Sequence, residues 1–316
     1  MTIAYEVMAV GAAACWAVGS LSSAPASAHL GAVAFSRWRM LCASLLLGSM
    51  ALWQGGWATL VVAGQGNGAA GFQSGGWFSP AIGLLMASGL IGIFLGDSAL
   101  FGCMNRLGPR RSGVLFACHA LFSALLAWLW LGETLSGRVL LGASLLVAGV
   151  MLAIVWGKRQ DEGHAWERVN GPLWVGVTLG LLAALCQAVA TLMLKPLMSS
   201  GTVDPVAASA LRMITALGAH GLLWLSGWPT ARCVQPLTWG VLGRTAFNAA
   251  LAMGLGMTLI LTALQGGSAG LVAIFSSVTP VLVLPLLWLV YRRQPAWGAW
   301  AGAVLTVVGG AVILSR

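Results

Sequence analysis

The sequence predicts an all-α membrane protein with ten transmembrane helices, arranged as two five-helix inverted repeats. Three observations predict it. Of 316 residues, 59% are hydrophobic and 7% charged, where an ordinary soluble domain carries about 25% charged residues. Apolar stretches of the length that spans a hydrocarbon core about 30 Å thick recur along the whole chain. Residues of the first half also recur, in order, in the second. With seven Asp and Glu and a mean hydropathy of +0.91, the chain lacks the polar side chains to cover a water-soluble surface. That excludes a cytosolic enzyme, a disordered chain and a secreted disulfide domain. Lipid also obliges backbone groups to pair within each segment, which makes long apolar stretches helices.

The net charge of +9 reads as basic loops beside anionic headgroups, so the bilayer is the expected partner and nucleic acid is not. Six cysteines, at 15, 42, 103, 118, 186 and 233, show no metal-ligand spacing and read as small buried hydrophobes. No metal and no cofactor is expected.

Ten stretches are long enough to span: 3–22, 32–53, 78–102, 112–131, 138–156, 172–194, 206–226, 238–262, 269–290 and 297–314. After the first, Ala26-Ser27-Ala28 resembles a signal-peptidase site, but residues 1–14 carry no Lys or Arg and do carry Glu6, so an uncleaved helix is expected. The uncharged, Gly-rich segment 54–77 reads as a flexible connection. Gly92-x-x-x-Gly96, Gly176-x-x-x-Gly180 and Gly298-x-x-x-Gly302 predict close helix contacts. Trp53, Trp77, Trp174, Trp239 and Trp297 fall near span ends, where an interfacial belt explains them.

The repeat is read from aligned residues. Cys15-Trp16-Ala17-Val18-Gly19-Ser20-Leu21 with Pro25 matches Cys186-Gln187-Ala188-Val189-Ala190-Thr191-Leu192 with Pro196. Arg39-Met40-Leu41-Cys42-Ala43 matches Arg212-Met213-Ile214-Thr215-Ala216, and Gly142 and Gly149 match Gly302 and Gly309. Residues 1–156 then form one repeat and 172–316 the other, joined by a linker at 157–171. Five helices per half is an odd number, so the second half enters the membrane from the opposite side. Inverted repeats around a midplane site are an architecture of secondary transporters.

The aromatic-small motif of the first span, the Arg opening the second and Leu129-Trp130-Leu131-Gly132-Glu133-Thr134-Leu135-Ser136 ending the fourth resemble the EamA domain of the drug/metabolite transporter superfamily. In the second half the likeness runs from Gly270 through Ser277-Val278-Thr279-Pro280 to Gly309-Gly310. The resemblance implies two tandem copies and a transporter, expected to export small organic metabolites such as amino acids or related compounds. Two departures stand out. Cys118-His119-Ala120 occupies the place of Thr279-Pro280, and the counterpart of Glu133 is basic, in Tyr291-Arg292-Arg293.

Ionisable residues at membrane depth cost about 2.5–3.5 kcal/mol each on insertion scales, which makes them functional candidates. Arg37, Arg39, Asp97 and His119 all lie roughly 10 Å from the membrane surface away from the termini, at 1.5 Å per helical residue. Asp97 is therefore expected to pair with Arg37 or Arg39, either as a brace between helices or as a site for substrate charge or protons. His119 reads as a packed helix histidine unless it meets Asp97. In the second half Met257 stands where Asp97 stands, and the polar candidates are Arg212, Arg244, Gln187, Asn248 and Gln265. Gln187 occupies the position of Trp16, which sets those two on facing helices of a central pathway. Amides at these places serve either interhelical hydrogen bonds or substrate.

Two motif matches are declined. Gly266-Gly267-Ser268-Ala269-Gly270 fits the serine-hydrolase pattern but lies in a short helical turn without the strand–elbow–helix context. Gly66-Asn67-Gly68-Ala69-Ala70-Gly71 fits a dinucleotide fingerprint with no βαβ unit around it.

Arg37, Arg39, Arg106, Arg110, Arg111, Lys158, Arg159, Arg168, Arg232, Arg244, Arg292 and Arg293 fall on the side away from the termini. Arg138, Lys195, Arg212 and Arg316 fall on the terminal side. The positive-inside rule then places both termini outside the cytoplasm, whereas the family resemblance implies the opposite. The expected protein is a multi-pass transporter of the cell (inner) membrane, monomer or homodimer, with a small-molecule substrate and no enzymatic activity. Drug or nucleotide-type efflux, a lipid-acting membrane enzyme and a passive scaffold are the competing readings.

Overall fold

The structure is a computed structural model and describes residues 2–63, 80–133, 136–156, 171–291 and 297–314. Its helices are α1 (Thr2–Leu30), α2 (Ala32–Trp53), α3 (Pro80–Gly108), α4 (Arg111–Leu131), α5 (Gly137–Trp156), α6 (Leu173–Ser199), α7 (Pro205–Leu225), α8 (Trp239–Gly266), α9 (in two pieces, Ala269–Ser276 and Thr279–Tyr291) and α10 (Trp297–Leu314). Among the described residues, each stretch predicted to span contains a helix. Among the described residues, α1, α3, α4, α6, α7 and α8 are long and apolar enough to cross a membrane. A seventh crossing results if α2 is joined with a short helix, Gly56–Ala63, that bends away from it by 82°. Apolar helical stretches of α5, α9 and α10 are shorter.

Four expectations need correction or stand aside. α1 and α6 run past the predicted ends at 22 and 194, through the equivalent prolines Pro25 and Pro196. A proline inside a helix removes one backbone bond, yet in a membrane helix it need not end the helix. Around Pro25 the hydroxyls of Ser20, Ser22 and Ser23 donate to the carbonyls of Ala17, Gly19 and Ser20. Ala26-Ser27-Ala28 is thereby internal to α1. The start of the 54–77 connection is the helix Gly56–Ala63, held because the Asp204 backbone N–H donates to Thr59 Oγ1 at 3.0 Å. Residues 64–77, the fingerprint at Gly66–Gly71, Trp77, most of the 157–171 linker, Thr134, Leu135, Arg292, Arg293 and Arg316 lie outside the described residues.

Contacts at the helix ends give the direction of each helix. At one end Tyr5 of α1 lies against Gly266, Glu133 after α4 reaches Ala269, and Lys195 of α6 reaches Leu264 and Gly267. At the other end Gly31 meets Val234, Gly171 meets Arg106 and Gly298 meets Trp156. α1 therefore begins at the end where its counterpart α6 finishes. The second half is inverted relative to the first.

Corresponding contacts also exchange, as a two-fold relation requires. A Cβ on Gly149 would stand 2.6 Å from the Gly302 carbonyl oxygen, and one on Gly309 2.6 Å from the Gly142 carbonyl oxygen. These four glycines let α5 and α10 pack backbone to backbone. The predicted Gly-x-x-x-Gly stripes do the same elsewhere: Gly92 and Gly96 against Ala190 and Cys186, Gly176 and Gly180 against Leu107 and Leu115. Trp53, Trp174, Trp239 and Trp297 are largely exposed, as interfacial residues should be.

Two irregularities recur at equivalent places. α3 contains a π-helical segment, Gly89–Leu95, and α8 contains one at Ala249–Gly256. α4 breaks at Cys118, where α9 breaks before Thr279-Pro280. The break in α4 needs no proline: Cys118 N–H turns to the Leu115 carbonyl, 3.2 Å away. Ser268 caps the first piece of α9, accepting from Leu271 N–H at 3.3 Å, which accounts for that serine without hydrolase chemistry.

Candidate functional site

The buried polar residues of α2, α3, α7 and α8 meet at the centre. Asp97 stands two residues after the π segment of α3, whose wider turn changes the register of what comes after it. Its carboxylate pairs with the Arg39 guanidinium, which is 4% exposed. Arg39 Nη1 lies 3.4 Å from Asn248 Oδ1, and its guanidinium sits 4.6 Å from the Phe101 ring centroid and 5.7 Å from that of Phe35. Asn248 in turn donates through Nδ2 to the Gly19 carbonyl at 2.8 Å, which orients its oxygen toward Arg39. Arg212, 2% exposed, donates through Nη1 to Met257 Sδ at 3.1 Å, and its charge also acts on Asp97.

This site carries the inverted repeat in its chemistry. Arg39 meets Asp97, and the equivalent Arg212 meets Met257, the residue standing where Asp97 stands. Asn248 bonds the Gly19 carbonyl, and the equivalent Ser88 donates to the Ala190 carbonyl at 2.9 Å. The two halves share one interface, and the acid is present on one side of it.

Arg37 is not a partner of Asp97. It donates to the Ala231 carbonyl at 2.7 Å and stacks on Trp224 at 5.4 Å. Two residues along a helix is a turn of roughly 200°, so Arg37 and Arg39 face opposite ways and only one can reach Asp97. His119 is not joined to Asp97 either; its ring lies 5.1 Å from that of Phe116. Shared depth did not bring them together because α4 packs on α6 and the first piece of α9. Trp16 and Gln187 each bond a partner of their own. Trp16 Nε1 donates to the Ala252 carbonyl in the π segment of α8 at 3.0 Å, and Gln187 Nε2 to Thr191 Oγ1, one turn along its own helix, at 3.4 Å.

Two groups, His220 and Ser88, are absent from the sequence candidates, and a third, Glu133, figured there only as part of a motif. His220 of α7 is fully buried, its ring 4.8 Å from Phe94 of the π segment, and neither ring nitrogen has a partner among the described residues. Its signal was available: it is an ionisable residue inside a predicted span. Ser88 was findable as the repeat equivalent of Asn248. Glu133 accepts from Ala269 and Gly270 N–H, at 2.9 and 3.2 Å, so it caps α9 from the other repeat. Among the described residues no group of three His, Cys, Asp or Glu is placed to hold a metal.

Two inverted helical repeats with a charged, buried layer where they meet define a multi-pass membrane protein of the repeat-transporter kind. The chain belongs to the EamA-like transporter family, which matches residues 3–155 and 174–315, one copy in each half. A solved crystal structure of a protein is similar over 99% of this chain and 96% of its own, with a TM-score of 0.73 at 15% identity, a likeness of fold alone. No curated protein matches the chain.

Proposed function

We propose that this transporter is a secondary carrier of the cell (inner) membrane that exports small organic metabolites such as amino acids or related compounds. The observation that carries the reading is the Arg39–Asp97–Asn248–Arg212 layer. It is built from α2, α3, α7 and α8, so both repeats contribute to it, and it adjoins the two equivalent π segments. Rocking one repeat against the other would expose such a layer to each side in turn. The lipid-enzyme reading gains no support, because Asp97 is held by Arg39 and His119 packs beside Phe116. The test is counterflow in proteoliposomes loaded with unlabelled amino acids and related metabolites. Trans-stimulated uptake of the labelled compound is expected; its absence for every metabolite offered rejects the reading.

A further inference from the structure

We infer that Arg212 is an anion-binding group and that the substrate carries a carboxylate. The inference rests on the transporter reading above and specifies its substrate class. Among the described residues the central layer contains two guanidiniums, Arg39 and Arg212, and a single carboxylate, Asp97. Arg39 takes that carboxylate as a direct partner and adds the Asn248 oxygen and two ring faces. Arg212 has one hydrogen bond among the described residues, to the Met257 thioether, and its Nε has none. A thioether is a weak acceptor, and a guanidinium offers five N–H donors in a planar fork. The repeat makes the gap specific. Met257 stands at the position where the first half supplies Asp97, so the second half presents the arginine without its acid.

The Arg212 guanidinium lies where the π segment of α3 meets α6. A Cβ added to Gly92 would stand 3.4 Å from Nη2 and 2.6 Å from the Ala190 Cβ, so the guanidinium lies against the bare backbone of the π segment. Asp97 lies within reach of both charges but bonds Arg39 directly, and a buried cation without a directly bonded counter-ion favours an anion that can bond it. The planar fork matches a carboxylate through two parallel hydrogen bonds. Occupied by a substrate carboxylate, Arg212 would complete the arrangement that Asp97 completes for Arg39.

The experiment uses purified full-length protein and follows its unfolding midpoint with glycine, alanine, leucine, phenylalanine, glutamate, acetate, succinate or benzoate, each beside its primary amide. At least one carboxylate should raise the midpoint where its amide does not. Arg212→Gln should weaken that effect at least about tenfold. Arg212→Lys, which keeps the charge but not the fork, should weaken it less, and Arg138→Gln, on an exposed residue at the start of α5, should not. The inference is overturned if no carboxylate stabilises the parent, if amides act equally, or if inorganic phosphate alone does. It is also overturned if the effect survives Arg212→Gln or, should that variant not fold, is unchanged in Arg212→Lys. Carboxylate binding without counterflow of any compound would sink the transporter reading instead. Counterflow of neutral or cationic metabolites alone, unaffected by Arg212→Gln, would sink only this one.

Discussion

Asp97 and Arg39 show how a single charge pair is forced by its surroundings. Each side chain lies where water is scarce, so each is costly alone and tolerable only against the other. Asp97→Asn leaves Arg39 with an amide in place of a counter-charge, which should cost roughly 3–5 kcal/mol. The expected outcome is a lower yield of folded protein, measured by fluorescence-detected size exclusion, and reduced counterflow. Reversing the pair, Asp97→Arg with Arg39→Asp, should recover folding. Recovery of transport with it would identify a brace, whereas folding without transport would identify a role in coupling or binding. Unimpaired folding and transport in Asp97→Asn would refute the argument. Here depth along the helix was legible in the sequence, and that set Asp97 against an arginine. Which arginine was not, because the rotation of α2 decides whether Arg37 or Arg39 faces inward.

At the scale of elements, what matters is how helices end and where they break. Glu133 ties the end of α4 to the start of α9 by accepting from two N–H groups that would otherwise have no intrahelical partner. An anionic cap at a helix N-terminus contributes on the order of 1–2 kcal/mol. Glu133→Gln should therefore lower the unfolding midpoint, and Glu133→Ala should lower it further, since the amide keeps an acceptor. Equal midpoints for parent and both variants would remove the cap from the account. The break in α4 teaches a different point. Nothing local in Cys118-His119-Ala120 announces it, whereas Thr279-Pro280 announces the equivalent one in α9. The fold imposes the same interruption on both repeats, with or without the proline.

At the scale of the whole molecule, the contacts at the helix ends separate the chain into two ends. Arg106 and Arg232 fall at the end away from Tyr5, and Lys195 at the other. Once Arg37, Arg39, Arg212 and Arg244 are set aside as intramembrane, the count remains nine against three in favour of the end away from the termini. The positive-inside rule then predicts extracytoplasmic termini. Fusion of alkaline phosphatase at Arg316 should be active and a green fluorescent protein fusion dark. The reverse pattern would reject the charge-count orientation and agree with what the family resemblance implies.

Composition and span length alone determined that this chain lives in a bilayer as helices, because hydrocarbon leaves the backbone no other partner. Aligned residues such as Arg39 with Arg212 and Gly142 with Gly302 determined the repeat, and an odd helix number per half determined its inversion. The tertiary structure decided what those residues touch. It set Asp97 on Arg39 and not Arg37, kept His119 apart from Asp97, turned Trp16 onto α8, and brought the unannounced His220 against Phe94. The reason is rotational. A sequence reports how far along a helix a residue lies, but the π segments and helix crossings set the direction it faces, and a contact requires both.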